Sequence, residues 1–247
     1  MVGIFNQEET EISRLFESKF GNETNVFNGL LNVYSAFLRA TSGKVKDTDY
    51  PSWTILLFLS QTLPLMENAI KLLALGYIRS SEILVRVAGE AILLSVYFKE
   101  FPETEIEYRN MNHREFFRKH KIKKMMKRVE REGKSFISNK PNKKIKWHKI
   151  IFTNLYGEAC RFVHNDPEVI YLLAKDNFNE NTQQHNLILG PQLYPDPVLS
   201  MGLRRLFNTL LFSLVVFGIA LSVMPDDSER ETMDEASRII EELNAKP

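Results

Sequence analysis

LMENAIKLLALGYIRSSEILVRVAGEAILLSVYF, residues 65–98, is the stretch whose reading decides the fold. Its apolar positions recur at helical spacing, its composition is rich in helix formers, and Gly76 offers a break. One long helix or two helices separated near Gly76 follow, and Pro64 suits the first turn, where no backbone donor is lost. Upstream, Trp53 to Leu63 is an apolar run behind a polar loop from Ser42 to Pro51. Earlier still, Ile12, Leu15, Phe16 and then Phe27, Leu30, Leu31, Tyr34, Phe37 and Leu38 mark two helices punctuated by Gly21 and Asn22.

Downstream, Pro102 opens a charged segment in which Phe116, Phe117, Ile122, Met125, Met126 and Val129 keep a partial helical stripe, and Glu132 to Pro141 is a polar break, the most mobile part on composition. Trp147 to His164 is a clean amphipathic helix, Asp166 and Pro167 cap a short one, and 177–197 is an Asn/Pro-rich connector. Leu206 to Met224 is nineteen mostly apolar residues, long enough either for a bilayer span or for the centre of a bundle. Ser228 to Leu243 is amphipathic and should dock on the same core. The expected fold is all-α, a single domain over 1–247, with roughly eight to ten helices around a central hydrophobic helix pair.

The 247 residues carry a net charge of only +1, but its distribution is uneven. Between Arg114 and Lys149 fifteen Lys or Arg face three acids, so this basic insertion at 114–149 holds about +12 and the remainder about −11. Lys121, Lys123, Lys124, Lys127 and Arg128 lie near Lys143, Lys144, Lys146 and Lys149 in sequence, a density that concentrates positive potential. RNA or another polyanion is the expected partner, with Phe116, Phe117 and Trp147 available for stacking if exposed. Anionic lipid competes if the late apolar helix enters a membrane, and a merely solvated face is the plain alternative.

Several chemistries drop out. The histidines His113, His120, His148, His164 and His185 form no zincin pair, Cys160 is a lone cysteine, and neither a nucleotide loop nor a Gly-x-Ser-x-Gly elbow occurs, so no metal or cofactor is expected. The lone cysteine and an N-terminus without a basic-then-apolar start favour the cytoplasm. Glu82, Arg86 and Glu90 repeat every four residues in a row on one helix face where they can pair, a surface salt ladder in the plain reading; the apolar borders Ile83, Gly89 and Leu93 point instead to partial burial of Arg86 and Glu90 with a partner on a neighbouring helix. His164 ends its helix on the flank of the apolar stripe, while Arg161 falls nearly opposite the stripe; the histidine can cap the last carbonyls or serve catalysis.

The pattern Arg86-x-x-x-Glu90 in an early helix, followed by a charged hairpin and then Tyr156 to His164, resembles the HEPN superfamily of helical proteins over 69–173. In this chain Arg161 precedes His164 by a shorter spacing than in the superfamily's ribonucleases. The resemblance implies metal-independent RNA cleavage in a toxin or antiviral defence system. His164 would be the general acid or base, Arg161 or Arg86 would stabilise phosphoryl charge, and Glu90 would orient one of them. It also implies a homodimer. Two other readings stay open: a non-enzymatic module that binds nucleic acid or protein, and a membrane-associated effector anchored by 206–224.

Overall fold

The central pair is an antiparallel hairpin of two helices, α2 (Tyr50–Ala74) and α3 (Ile78–Glu100). The computed structural model describes residues 6–46, 49–135 and 191–245, together with the paired backbones of 137–140 with 143–146 and 178–179 with 184–185. Before the hairpin lies α1 (Asn6–Ser42), and after it come α4 (Pro102–Asn110), α5 (His113–Lys119) and α6 (Ile122–Glu132). Two short antiparallel pairings follow, β1 (Ile137–Lys140) with β2 (Lys143–Lys146) and β3 (Phe178–Asn179) with β4 (Gln184–His185). The chain closes with α7 (Asp196–Leu221) and α8 (Asp227–Ala245). Eight helices among the described residues make the protein an all-α bundle. The helix expected over 147–164 and the short one after Asp166 lie outside the described residues.

Two punctuation marks act differently from one another. Gly76 has φ +81°, a left-handed conformation that a side chain would strain, and a Cβ there would sit 2.4 Å from the Gln192 carbonyl oxygen. The returning chain docks on this turn, with the Gln192 N–H donating to the Gly76 carbonyl at 3.2 Å. Pro64, by contrast, lies inside α2 rather than at a helix start. The apolar run from Trp53 continues through it because burial of Leu59, Met66, Ala69 and Ile70 on one face outweighs the single backbone bond a proline removes. The two helices read before Ser42 are both present, joined within α1 across a kink at Phe20 (φ −126°, ψ 21°), beside the predicted Gly21 break.

The apolar run lies in α7 from Leu206 to Leu221, where it forms the bundle's inner wall, while Ser222 to Met224 fall beyond the helix end and Met224 is exposed. Leu203, Leu206, Phe207, Leu210, Val216 and Phe217 are fully buried, and Phe207 and Phe217 meet Phe27 and Tyr34 of α1 edge to face at 5.3 and 5.1 Å. Among the described residues this is the one helix long and apolar enough to cross a membrane, and 67% of its apolar window is buried inside the bundle. Gly202 lets α7 approach Leu73 of α2, where a Cβ would fall 3.0 Å from the leucine. A reciprocal capping pair starts α8: the Glu229 N–H donates to Asp226 Oδ1 at 2.8 Å, and the Asp226 N–H to Glu229 Oε2 at 2.9 Å. As expected, α8 then buries Ala236, Ile239 and Leu243 in the shared core.

Of the charged row on α3, Glu82 is buried and its carboxylate Oε1 accepts the Arg205 Nε–H of α7 at 2.7 Å, with Nη2 2.5 Å away as an ion-pair contact. Both side chains are about 2% exposed or less, so this ion pair is an interior joint between α3 and α7. Arg86 and Glu90 are half-buried on the same helix.

Candidate nucleic-acid interface

The basic insertion begins as part of the core. Pro102 opens α4 at a position that sacrifices no donor, and Asn112 caps α5 by accepting the Glu115 N–H at 2.9 Å. Phe116 is fully buried among Phe98 (6.1 Å) and Tyr108 (5.0 Å), which fixes α5 against the hairpin. On α6 the spacing Met125, Met126, Val129 turns one face inward. The opposite face carries Lys123, Lys124, Lys127 and Arg131, all exposed, with exposed Lys121 just before the helix. Among the described residues Lys121, Lys123, Lys124 and Lys127 have no carboxylate partner.

Between α3, α5 and α6 lies a cleft of about 410 Å³ whose walls include Tyr97, His120, Lys124, Lys127 and Arg128. His120 stacks on Phe116 at 4.7 Å between centroids. Its Nε2 is 2.8 Å from Glu107 Oε2 and its Nδ1 is 3.3 Å from the Tyr97 hydroxyl. A carboxylate only accepts, so Nε2 carries the proton toward Glu107 and Nδ1 accepts from the tyrosine in the neutral ring. The Tyr97 oxygen in turn accepts from Arg128 Nη1 at 3.1 Å. Burial raises the Tyr97 pKa, so the phenol keeps its proton.

Arg128 is held by three hydrogen bonds and a ring. Nη2 donates to Glu103 at 2.9 Å, Nε to Glu132 at 3.3 Å, and the guanidinium lies 3.8 Å over the Phe101 ring. Burial pulls its pKa down, but the hydrogen bonds to Tyr97, Glu103 and Glu132 outweigh this and raise it. Glu107 accepts from both Lys119 (2.6 Å) and His120, and these hydrogen bonds hold its pKa below the ordinary carboxylate value. Where composition marked a break after α6, the root is anchored. The Lys134 and Ser135 N–H groups both donate to the Glu100 carboxylate at 2.7 Å, and a Cβ on Gly133 would meet the Val129 carbonyl at 2.5 Å.

The site residues read from sequence therefore separate. Lys121, Lys123, Lys124 and Lys127 form the exposed face, and Arg128 is a wall of the cleft with three of its five N–H groups given to protein partners. Lys143, Lys144 and Lys146 lie on β2, while Lys149, Arg161, His164 and Trp147 lie outside the described residues. Arg86 and Glu90 do not line the cleft. At 1.5 Å per residue they stand about 10–16 Å back along α3 from Tyr97. Phe116 is buried and offers no stacking surface, and Phe117 is half-buried.

Sequence reading missed Tyr97, Glu107 and His120 as a unit. They come from three elements, and in sequence Tyr97 looks like one more apolar residue at the end of α3. A histidine next to the densest lysine cluster was the available signal.

Comparison with protein-family models, with curated proteins and with solved structures finds no match for this chain.

Proposed function

We propose that the protein is a HEPN-like RNA-binding protein that takes up RNA through the α5–α6 face. The observation that carries this reading is a packed helix presenting Lys123, Lys124 and Lys127 to solvent, free of carboxylates among the described residues, at the mouth of a basic cleft. Lysines already paired would have to break those bonds to meet a phosphate; these do not. Because α6 buries its apolar side in the core, the charges are held on a rigid element rather than on a tail.

In the same reading the protein is a metal-independent endoribonuclease of a toxin or antiviral defence system. Arg86 and Glu90, one turn apart and half-buried on α3, would supply phosphoryl stabilisation and orientation, and Arg161 and His164 would complete the site. Support for cleavage is the sequence resemblance together with the partial burial of this pair. Purified protein should bind single-stranded RNA and cut it in the presence of a chelator, and His164→Ala should abolish cutting with an unchanged thermal melt. Cutting that survives this substitution would remove His164 from the mechanism; absence of RNA binding would remove the whole proposal.

A further inference from the structure

The cleft beside the lysine face is organised beyond what tracking an RNA backbone requires. Its walls carry five cations, Lys119, Lys124, Lys127, Arg128 and Arg131. Three carboxylates engage them: Glu107 with Lys119, Glu103 with Arg128, and Glu132 with both arginines. Five against three leaves an excess of two positive charges around one concavity. The excess resides on Lys124 and Lys127, one turn apart on α6 and without carboxylate partners among the described residues.

Arg128 adds directed donors. Its guanidinium has five N–H groups, and Tyr97, Glu103 and Glu132 take one each. Two N–H groups are left, on a plane fixed by the Phe101 ring. Both nitrogens of His120 are engaged, with Tyr97 and Glu107, so the ring lines the cleft without offering it a donor. A phosphodiester inside an RNA chain carries one negative charge, whereas a terminal phosphomonoester carries about −1.5 to −2 at neutral pH. The volume of about 410 Å³ also lies in the range of small-ligand sites and exceeds what a lone phosphate needs.

We infer that this cleft is a phosphomonoester pocket, which seats the terminal phosphate of an RNA chain with Lys124, Lys127 and Arg128 as its ligands. The inference rests on the RNA-binding reading above for its source of phosphate. The same group on a free nucleotide has the same chemistry, and the test separates the two.

Binding to the full chain is measured by fluorescence anisotropy at one salt concentration. The ligands are three labelled RNA decamers of identical sequence: one with a 5′-phosphate, one with a 3′-phosphate, and one with hydroxyls at both ends. Adenosine monophosphate carrying the label on its base serves as a fourth ligand. One of the phosphorylated decamers should bind about tenfold tighter than the hydroxyl decamer, and Lys124→Ala with Lys127→Ala should bring that ratio to about one. Both lysines are exposed, so the thermal melt of this variant should match the wild type and certify its fold. Equal affinity for all three decamers overturns the pocket while leaving RNA binding standing, and so does a preference that the double variant retains. Adenosine monophosphate that binds in a Lys124- and Lys127-dependent way, with no affinity for any decamer, sustains the pocket with the free nucleotide as its source and sinks the RNA reading.

Discussion

Replacing Arg205 by methionine should cost more stability than any surface change in this chain. The side chain is among the largest that are fully buried, and it joins α7 to Glu82 of α3 across 123 residues of sequence through contacts of 2.7 and 2.5 Å to one carboxylate oxygen. Removing the guanidinium leaves Glu82, 1% exposed, with its charge inside the bundle and without this counter-ion. Breaking a buried pair from one side costs about 3–5 kcal/mol. At roughly 2–4 °C per kcal/mol for a chain of this size, the melting temperature should fall by about 6–20 °C. The companion variant Glu82→Leu with Arg205→Met removes both charges and should recover most of the loss, since apolar replacements of buried pairs are often neutral or stabilising. Urea and thermal unfolding of the wild type, both single variants and the double variant close the cycle. A single Arg205→Met variant melting within about 2 °C of wild type would refute the reasoning, as would a double variant no more stable than the sum of its singles.

Two other perturbations follow from the same geometry. Gly76→Ala forces a side chain into the left-handed region and against the Gln192 carbonyl, so the melt should drop by several degrees, more than for Gly43→Ala, where a Cβ meets nothing. For Glu107 the folded pKa is below the ordinary 4.5 because Lys119 and His120 donate to it, so its contribution is full above that value and lost as pH falls through the lower folded pKa. Melting temperature should therefore decline more steeply below about pH 4.5 in wild type than in Glu107→Gln, and parallel acid profiles would contradict the assignment.

Helix periodicity made much of the bundle legible: the helical character of 53–98 with Gly76 as one of two readings of its break, the amphipathic α8 and the apolar α7 all follow from local spacing. Pro64 was misread because a proline suits a first turn as well as a helix whose flanking faces are already buried, and only tertiary packing decides. The lysine face was visible as composition, but its sidedness came from Met125, Met126 and Val129 packing inward. The Glu82–Arg205 joint and the Glu107–His120–Tyr97–Arg128 chain were not legible. Each links residues from separate elements, and no local spacing records such a meeting. Phe116 shows the converse: an aromatic in a basic run resembles a stacking platform in sequence, and in the fold it is core.

The salt dependence of RNA affinity tests the proposed binding of RNA phosphates by the α5–α6 face. If Lys121, Lys123, Lys124 and Lys127 each neutralise one phosphate of a single strand, the logarithm of affinity should fall against the logarithm of salt with a slope of about −2.8. Replacing Lys123 and Lys124 with glutamate should flatten that slope by about 1.4 or more and weaken binding at every salt concentration. An affinity independent of salt, or a slope unchanged in this variant, would contradict the account.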